Sequence, residues 1–172
     1  MGNLIRLERL ETGVAKLILD NPPLNVNSIQ MTDEIDEALN EIASDPSMRA
    51  VVITGAGTRA FCAGSDVKEF PKILDDMPAK KTRKENQVLD RIENFQKPVI
   101  CAISGYALGS GCEIAISCDF RFMAEDAKIG LPEIALGTFP AGGGLFRLPQ
   151  LVGVANALEV MFFGEHLSAK KA

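Results

Sequence analysis

The sequence predicts an α/β fold with a mostly parallel sheet, on three observations. Short apolar runs recur at 50–54, 98–103 and 120–124, the pattern of strands buried on both faces. Stretches with apolar residues at helical spacing separate these runs, and strands joined by helical crossovers build parallel sheets of right-handed sense. The segment 103–119 reads as strand, turn and helix. Its apolar run gives out at Gly105, three glycines (Gly105, Gly109, Gly111) let the chain turn sharply, and helix-compatible residues follow.

Residues 4–10 and 14–19 suit strands, and the turn at Glu11–Gly13 makes them a hairpin. The stretch 20–28 contains Pro22-Pro23 and is dense in turn formers, so it is expected to be a loop, either facing a ligand or merely leading into a helix. Met31, Ile35, Leu39 and Ile42 recur at helical spacing among acidic residues and predict an amphipathic helix that ends near Asp45-Pro46. After the strand at 50–54 comes a long glycine-rich loop, 55–66, at the end of a buried strand where α/β sheets bind ligands. Lys80, Lys81, Arg83 and Lys84 then form a basic cluster that reads as a solvated face or a phosphate contact, before Val88, Ile92 and Phe95 restore a helical stripe. The helix after the central turn is expected to begin near Gly109 or Ser110. Its first N–H groups lack intrahelical acceptors and favour negative charge, and Glu113 lies about 4.5 Å further along the same face. Beyond the strand at 120–124, residues 128–133 form a short extended piece that brings Glu133 forward. A flexible glycine cluster at 137–144 and a last amphipathic helix at 153–163 follow.

A length of 172 residues with 47% hydrophobic content suits one domain with a real core. The formal net charge of -5, without a long basic block, argues against nucleic acid or an anionic membrane as partner, and for a small-molecule site. The four cysteines (Cys62, Cys101, Cys112, Cys118) show no C-x-x-C spacing and fit buried thiols in a reducing, cytoplasmic setting. No basic-then-apolar leader opens the sequence, and no apolar run reaches about 18 residues, so a soluble, unprocessed chain is expected.

Familiar motifs fail one by one. A dinucleotide fingerprint at Gly109-x-Gly111 needs glycine or alanine at position 114, which is Ile114. Neither Ser65 nor Ser110 sits in a G-x-S-x-G elbow, and a phosphate loop lacks its lysine. The single His166 leaves no triad, and no metal-ligand spacing is present.

What remains is a combination: glycine-rich loops after the strands at 50–54 and 98–103, plus Glu113 and Glu133. Three stretches, Phe61–Lys68, Lys97–Glu113 and Leu131–Gly144, strongly resemble the crotonase (enoyl-CoA hydratase/isomerase) superfamily, and Asn21–Asn25 and Arg147–Gly153 extend the resemblance over nearly the whole chain. The resemblance implies a spiral of ββα units, an acyl-CoA thioester as ligand, and no separate cofactor or metal, coenzyme A entering as part of the substrate. It implies an oxyanion hole made by the backbone N–H groups of Ser65 and Ser110, where the family more often has alanine or glycine. It also implies a coenzyme A site along Leu24, Val26, Ala63, Ser65, Asp66, Val67, Lys68 and Ser110, and assembly as a homo-trimer or hexamer. Members of the family continue past a segment like 164–172 into a C-terminal helical part, which the sequence is therefore expected to lack.

By the same resemblance Glu113 activates water and Glu133 supplies the proton to C2 of a 2-enoyl thioester. The chemistry suits a pair of buried carboxyls, because like charge and desolvation push one pKa upward and divide their protonation states. An enoyl-CoA isomerase working mainly through Glu133, and an acyl-CoA-binding fragment without turnover, are the alternative readings.

Overall fold

The computed structural model describes residues 3–172. Strand β1 (Ile5–Arg9) pairs antiparallel with β2 (Val14–Leu19), the expected hairpin. Helix α1 (Ile29–Ser44) starts where the Ser28 side chain accepts from the Met31 N–H at 3.1 Å. This capping contact satisfies one of the donors a helix start leaves free. The buried face of α1 is Met31, Ile35, Ala38, Leu39 and Ile42, the predicted stripe. Burying each of its larger side chains contributes roughly 1.5–3 kcal/mol.

Then a unit repeats. β3 (Ala50–Gly55) and β4 (Ala60–Cys62) are followed by the short α2 (Phe70–Ile73), a π-helical turn at Pro78–Thr82 and α3 (Arg83–Glu93). β5 (Val99–Ile103) and β6 (Tyr106–Leu108) are followed by α4 (Ser110–Ser117). β7 (Phe120–Met123) and β8 (Lys128–Gly130) are followed by a 3-10 turn at Glu133–Leu136, then α5 (Gly144–Val152) and α6 (Val154–Phe163). The first strand of each pair joins a sheet ordered β1-β2-β3-β5-β7 and the second joins a smaller sheet, β4-β6-β8, which β9 (Leu167–Ser168) closes antiparallel. All pairings among β2, β3, β5 and β7, and among β4, β6 and β8, are parallel. This is the spiral of ββα units, wound around one hydrophobic cluster that includes Leu17, Leu39, Ile53, Phe61, Ile92 and Ile114.

The structure departs from the sequence reading in four places. The loop at 55–66 contains β4, and the turn after β5 contains β6, so the glycine-rich segments carry a second sheet between them. β7 is an edge strand that leaves Phe120 and Phe122 exposed. β3 alternates fully and partly buried residues instead of being sealed on both faces. Finally, α5 forms between the glycine cluster and the last helix, where no element was anticipated, with Pro149 inside it.

Among the described residues no helix is long and apolar enough to cross a membrane. All four cysteines are free and buried, and burial pushes the Cys62 thiol up to about 12.

Candidate active site

α4 begins where the sequence placed it. Gly109 has φ 53° and ψ -123°, a conformation glycine adopts at little cost, and its N–H donates to the Gly130 carbonyl of β8 at 3.0 Å. The turn therefore delivers Ser110 as the first helical residue, with Glu113 one turn on and 4% exposed. Neither the Ser65 nor the Ser110 backbone N–H donates to an acceptor among the described residues. Both residues line one cavity of about 180 Å³, together with Glu113, Glu133, Glu85 and Lys81.

Glu113 is held at one end. Its Oε1 accepts from the Gly144 N–H at 2.9 Å, and a Cβ at Gly142 would collide with its carboxylate, so only glycine lets that loop close over it. Burial pushes the Glu113 carboxyl up to about 7, the backbone donors of Gly144 and Gly142 oppose this, and the nearby charges of Glu133 and Glu85 reinforce it. The loop is anchored from α3. Asn86 Nδ2 donates to the Ala141 carbonyl at 2.8 Å, and the buried Arg147 donates to the Gly142 carbonyl at 3.0 Å and to Glu93 at 2.8 Å, and also pairs with Asp90.

Glu133 opens the 3-10 turn after β8. Its Oε2 is buried without a hydrogen-bond partner among the described residues, and burial raises its pKa. A buried carboxyl oxygen left without a donor favours the protonated acid over the anion.

The segments expected to hold coenzyme A do meet. The Ala63 N–H donates to the Leu24 carbonyl at 3.0 Å, and Asn27 pairs with Ser65 as an isolated parallel bridge. Ala63, Ser65, Val67 and Ser110 line the cavity, whereas Leu24, Val26, Asp66 and Lys68 lie outside its lining. Asp66 caps the 3-10 turn at Val67–Glu69, its side chain accepting from the Lys68 N–H, and Lys68 is exposed.

The basic cluster is not one face. Lys80 pairs with Asp75, Lys84 pairs with Asp36, and Lys81 is buried at 3% exposure against Glu85. Lys81 entered the sequence reading only as a member of that cluster, and Glu85 and Asn27 were not singled out, because their polar character reads as surface until the fold shows all three buried. A larger cavity of about 560 Å³, bounded by β7, α5 and α6, is mostly apolar and is lined by neither glutamate of the pair.

Two carboxyls and two residues with unengaged backbone N–H groups thus line one pocket at the start of a helix, a set of groups chemically able to favour negative charge on an oxygen and to exchange protons beside it. The chain belongs to the enoyl-CoA hydratase/isomerase family, whose sequence model matches residues 9–172. It is 43% identical over 160 residues to a probable enoyl-CoA hydratase of Bacillus subtilis, covering 92% of this chain and 62% of that protein. It is 39% identical to the short-chain-enoyl-CoA hydratase of Clostridium acetobutylicum, covering 99% and 65%. The crystal structure of an enoyl-CoA hydratase from Bacillus anthracis superposes with a TM-score of 0.94 at 36% identity, covering 98% of this chain and 66% of that one. The chain thus spans somewhat less than two thirds of the length of these two curated relatives.

Proposed function

We propose that this site adds water reversibly across the C2=C3 bond of a 2-enoyl-CoA thioester to give the 3-hydroxyacyl-CoA. The thioester oxygen accepts from the Ser65 and Ser110 N–H groups. Ionised Glu113 takes a proton from water as the water oxygen bonds to C3, and the electron pair moves onto the thioester oxygen as an enolate. Protonated Glu133 then delivers its proton to C2 as the enolate collapses. Exchange with solvent returns both carboxyls to their starting states. Fixed N–H donors at such an oxygen are each worth about 3–4 kcal/mol of barrier, and positioned acid–base groups about 10²–10⁴-fold in rate.

One observation carries the reading: two carboxyls of raised pKa face the same cavity as two unengaged backbone donors, one of them at the N-terminus of α4. A base near 7 is well matched to neutral pH. The unpartnered Oε2 of Glu133 supports its role as the acid. Coenzyme A enters as part of the substrate, along the Leu24–Val26 and Ala63–Lys68 segments, and four free, buried thiols support a reducing cytoplasmic setting.

The test is product identity. The protein is offered a 2-enoyl-CoA and, separately, a 3-enoyl-CoA, and the products are followed with solvent-deuterium incorporation at C2. A 3-hydroxyacyl-CoA from the first supports hydration. Shift of the double bond in the second without hydration would assign isomerisation through Glu133 instead.

A further inference from the structure

Asn27 is buried at 3% exposure and hydrogen-bonds through its backbone N–H and carbonyl, both side-chain N–H groups and the side-chain oxygen. Its N–H donates to the Gly64 carbonyl at 2.8 Å, and its own carbonyl accepts from the Asp66 N–H at 3.0 Å and from Lys81 Nζ at 3.0 Å. Its side-chain Nδ2 donates to Ser110 Oγ at 2.9 Å and to Glu85 Oε1 at 3.0 Å, while Oδ1 accepts from Thr32 Oγ1 at 3.1 Å. The Glu85 carboxylate fixes which way the amide faces, since an ionised carboxylate can only accept, and this turns Oδ1 toward the Thr32 hydroxyl, which also lies 3.1 Å from the Ser28 carbonyl. Asn27 is therefore bonded on its backbone to the loop that carries Ser65 and on its side chain to the helix start that carries Ser110. Glu85 reinforces the bridge by accepting from Ser65 Oγ at 3.4 Å, and Lys81 offsets its charge at 3.2 Å.

A buried amide, carboxylate and ammonium are costly unless every member is satisfied, and a satisfied network specifies one arrangement of the pieces it joins. The pieces joined here are the loop that carries Ser65 and the helix start that carries Ser110, both of which line the cavity. Two donors aimed at one oxygen must be held to within about half an ångström to act together.

We propose that Asn27 is a positioning residue for the reaction: its amide, oriented by Glu85 and bonded to Thr32, locks the Ser65 loop to the Ser110 helix start so that their two N–H groups converge on the thioester oxygen. This rests on the oxyanion-hole reading of the proposed function.

The experiment uses an aryl-conjugated 2-enoyl-CoA, whose ultraviolet absorption moves to longer wavelength when its carbonyl is polarised. Bound spectra and steady-state kinetics are measured for the parent and for Asn27→Leu, Ser110→Ala, Thr32→Val and Thr32→Ser. The parent shows the red shift. Asn27→Leu is expected to lose most of it and to lower kcat on the order of a hundredfold, with KM changed by less than about threefold, as misplacement of a catalytic group predicts. Ser110→Ala keeps the N–H but drops the tether, and shows a smaller change of the same kind. Thr32→Val behaves likewise, and Thr32→Ser restores the parent spectrum and rate. The Thr32 pair decides the matter if Asn27→Leu does not fold, because it changes only a side chain on α1 outside the cavity lining. A full red shift and parent kcat in folded Thr32→Val and Ser110→Ala would overturn the proposal while leaving the hole intact. Absence of a red shift in the parent would remove the hole itself, and this inference with it.

Discussion

Gly144 donates its N–H to Glu113 Oε1 at 2.9 Å across 31 residues of chain, so the first turn of α5 holds a carboxyl presented by the first turn of α4. The contact leaves Glu113 with one oxygen pinned and opposes the burial that lifts its pKa. Glu133 has no such partner at Oε2. Two chemically identical side chains thus face one cavity in different environments, which is the condition for assigning them different roles.

Changing either glutamate to glutamine keeps its shape but removes proton exchange. Hydration is expected to fall by about 10²–10⁴-fold in Glu113→Gln and in Glu133→Gln, with thioester binding retained. The double variant should cost little more than the worse single one, because the two act as a unit. Hydration rate and C2 deuterium incorporation are read together. Near-parent hydration in Glu113→Gln would overturn the two-carboxyl assignment.

The elevated pKa of Glu113 makes both activity and stability depend on pH. As the proposed base it must be ionised, so kcat should rise with pH through about 7. The folded chain keeps the Glu113 proton up to about 7, whereas an unfolded chain releases it near 4.5. Between those values the folded state binds more protons, so this group's contribution to stability falls as pH rises from 4.5 to 7 and is level above. The whole change is on the order of 3 kcal/mol. Glu113→Gln should flatten that part of a urea-denaturation pH series, and an unchanged slope would show that the carboxyl is not held protonated by the fold.

Coenzyme A thioesters should contact the segments at 24–26 and 63–68, which meet through the Ala63–Leu24 backbone bond. Titration with free coenzyme A and with an acyl-CoA, followed by backbone amide shifts, should move these residues first. A response confined to another surface would refute the ligand assignment.

α5 and α6 leave Leu145, Phe146, Leu151, Val154, Leu158, Phe162 and Phe163 exposed, and clustered apolar side chains of this kind mark interaction surfaces. The protein is expected to self-associate, by its family resemblance as a trimer or a pair of trimers. Sedimentation equilibrium over a range of concentrations checks this, and a monomer throughout would count against it.

The sequence alone determined the elements whose signal is local. The alternating hairpin, the stripe of α1, the branched strands β3 and β5 and the start of α4 all follow from periodicity and glycine placement, and the family motifs marked Glu113, Glu133, Ser65 and Ser110 as candidates. Only the tertiary structure decided the rest. β4 and β6 are each three residues long, too short for a period to register, and they exist because a neighbouring strand completes their hydrogen bonds. Lys81 looks like part of a solvated run until the fold buries it, and its charge is offset there by Glu85 at 3.2 Å, Glu69 at 3.5 Å and the Asn27 carbonyl at 3.0 Å. Asn27 meets Glu85 across 58 residues and Ser110 across 83, distances over which no local pattern reports. Side-chain identity within one stretch of chain sets what that stretch can form. Which polar groups are stripped of water, and therefore which must find each other, is set only when separate stretches pack.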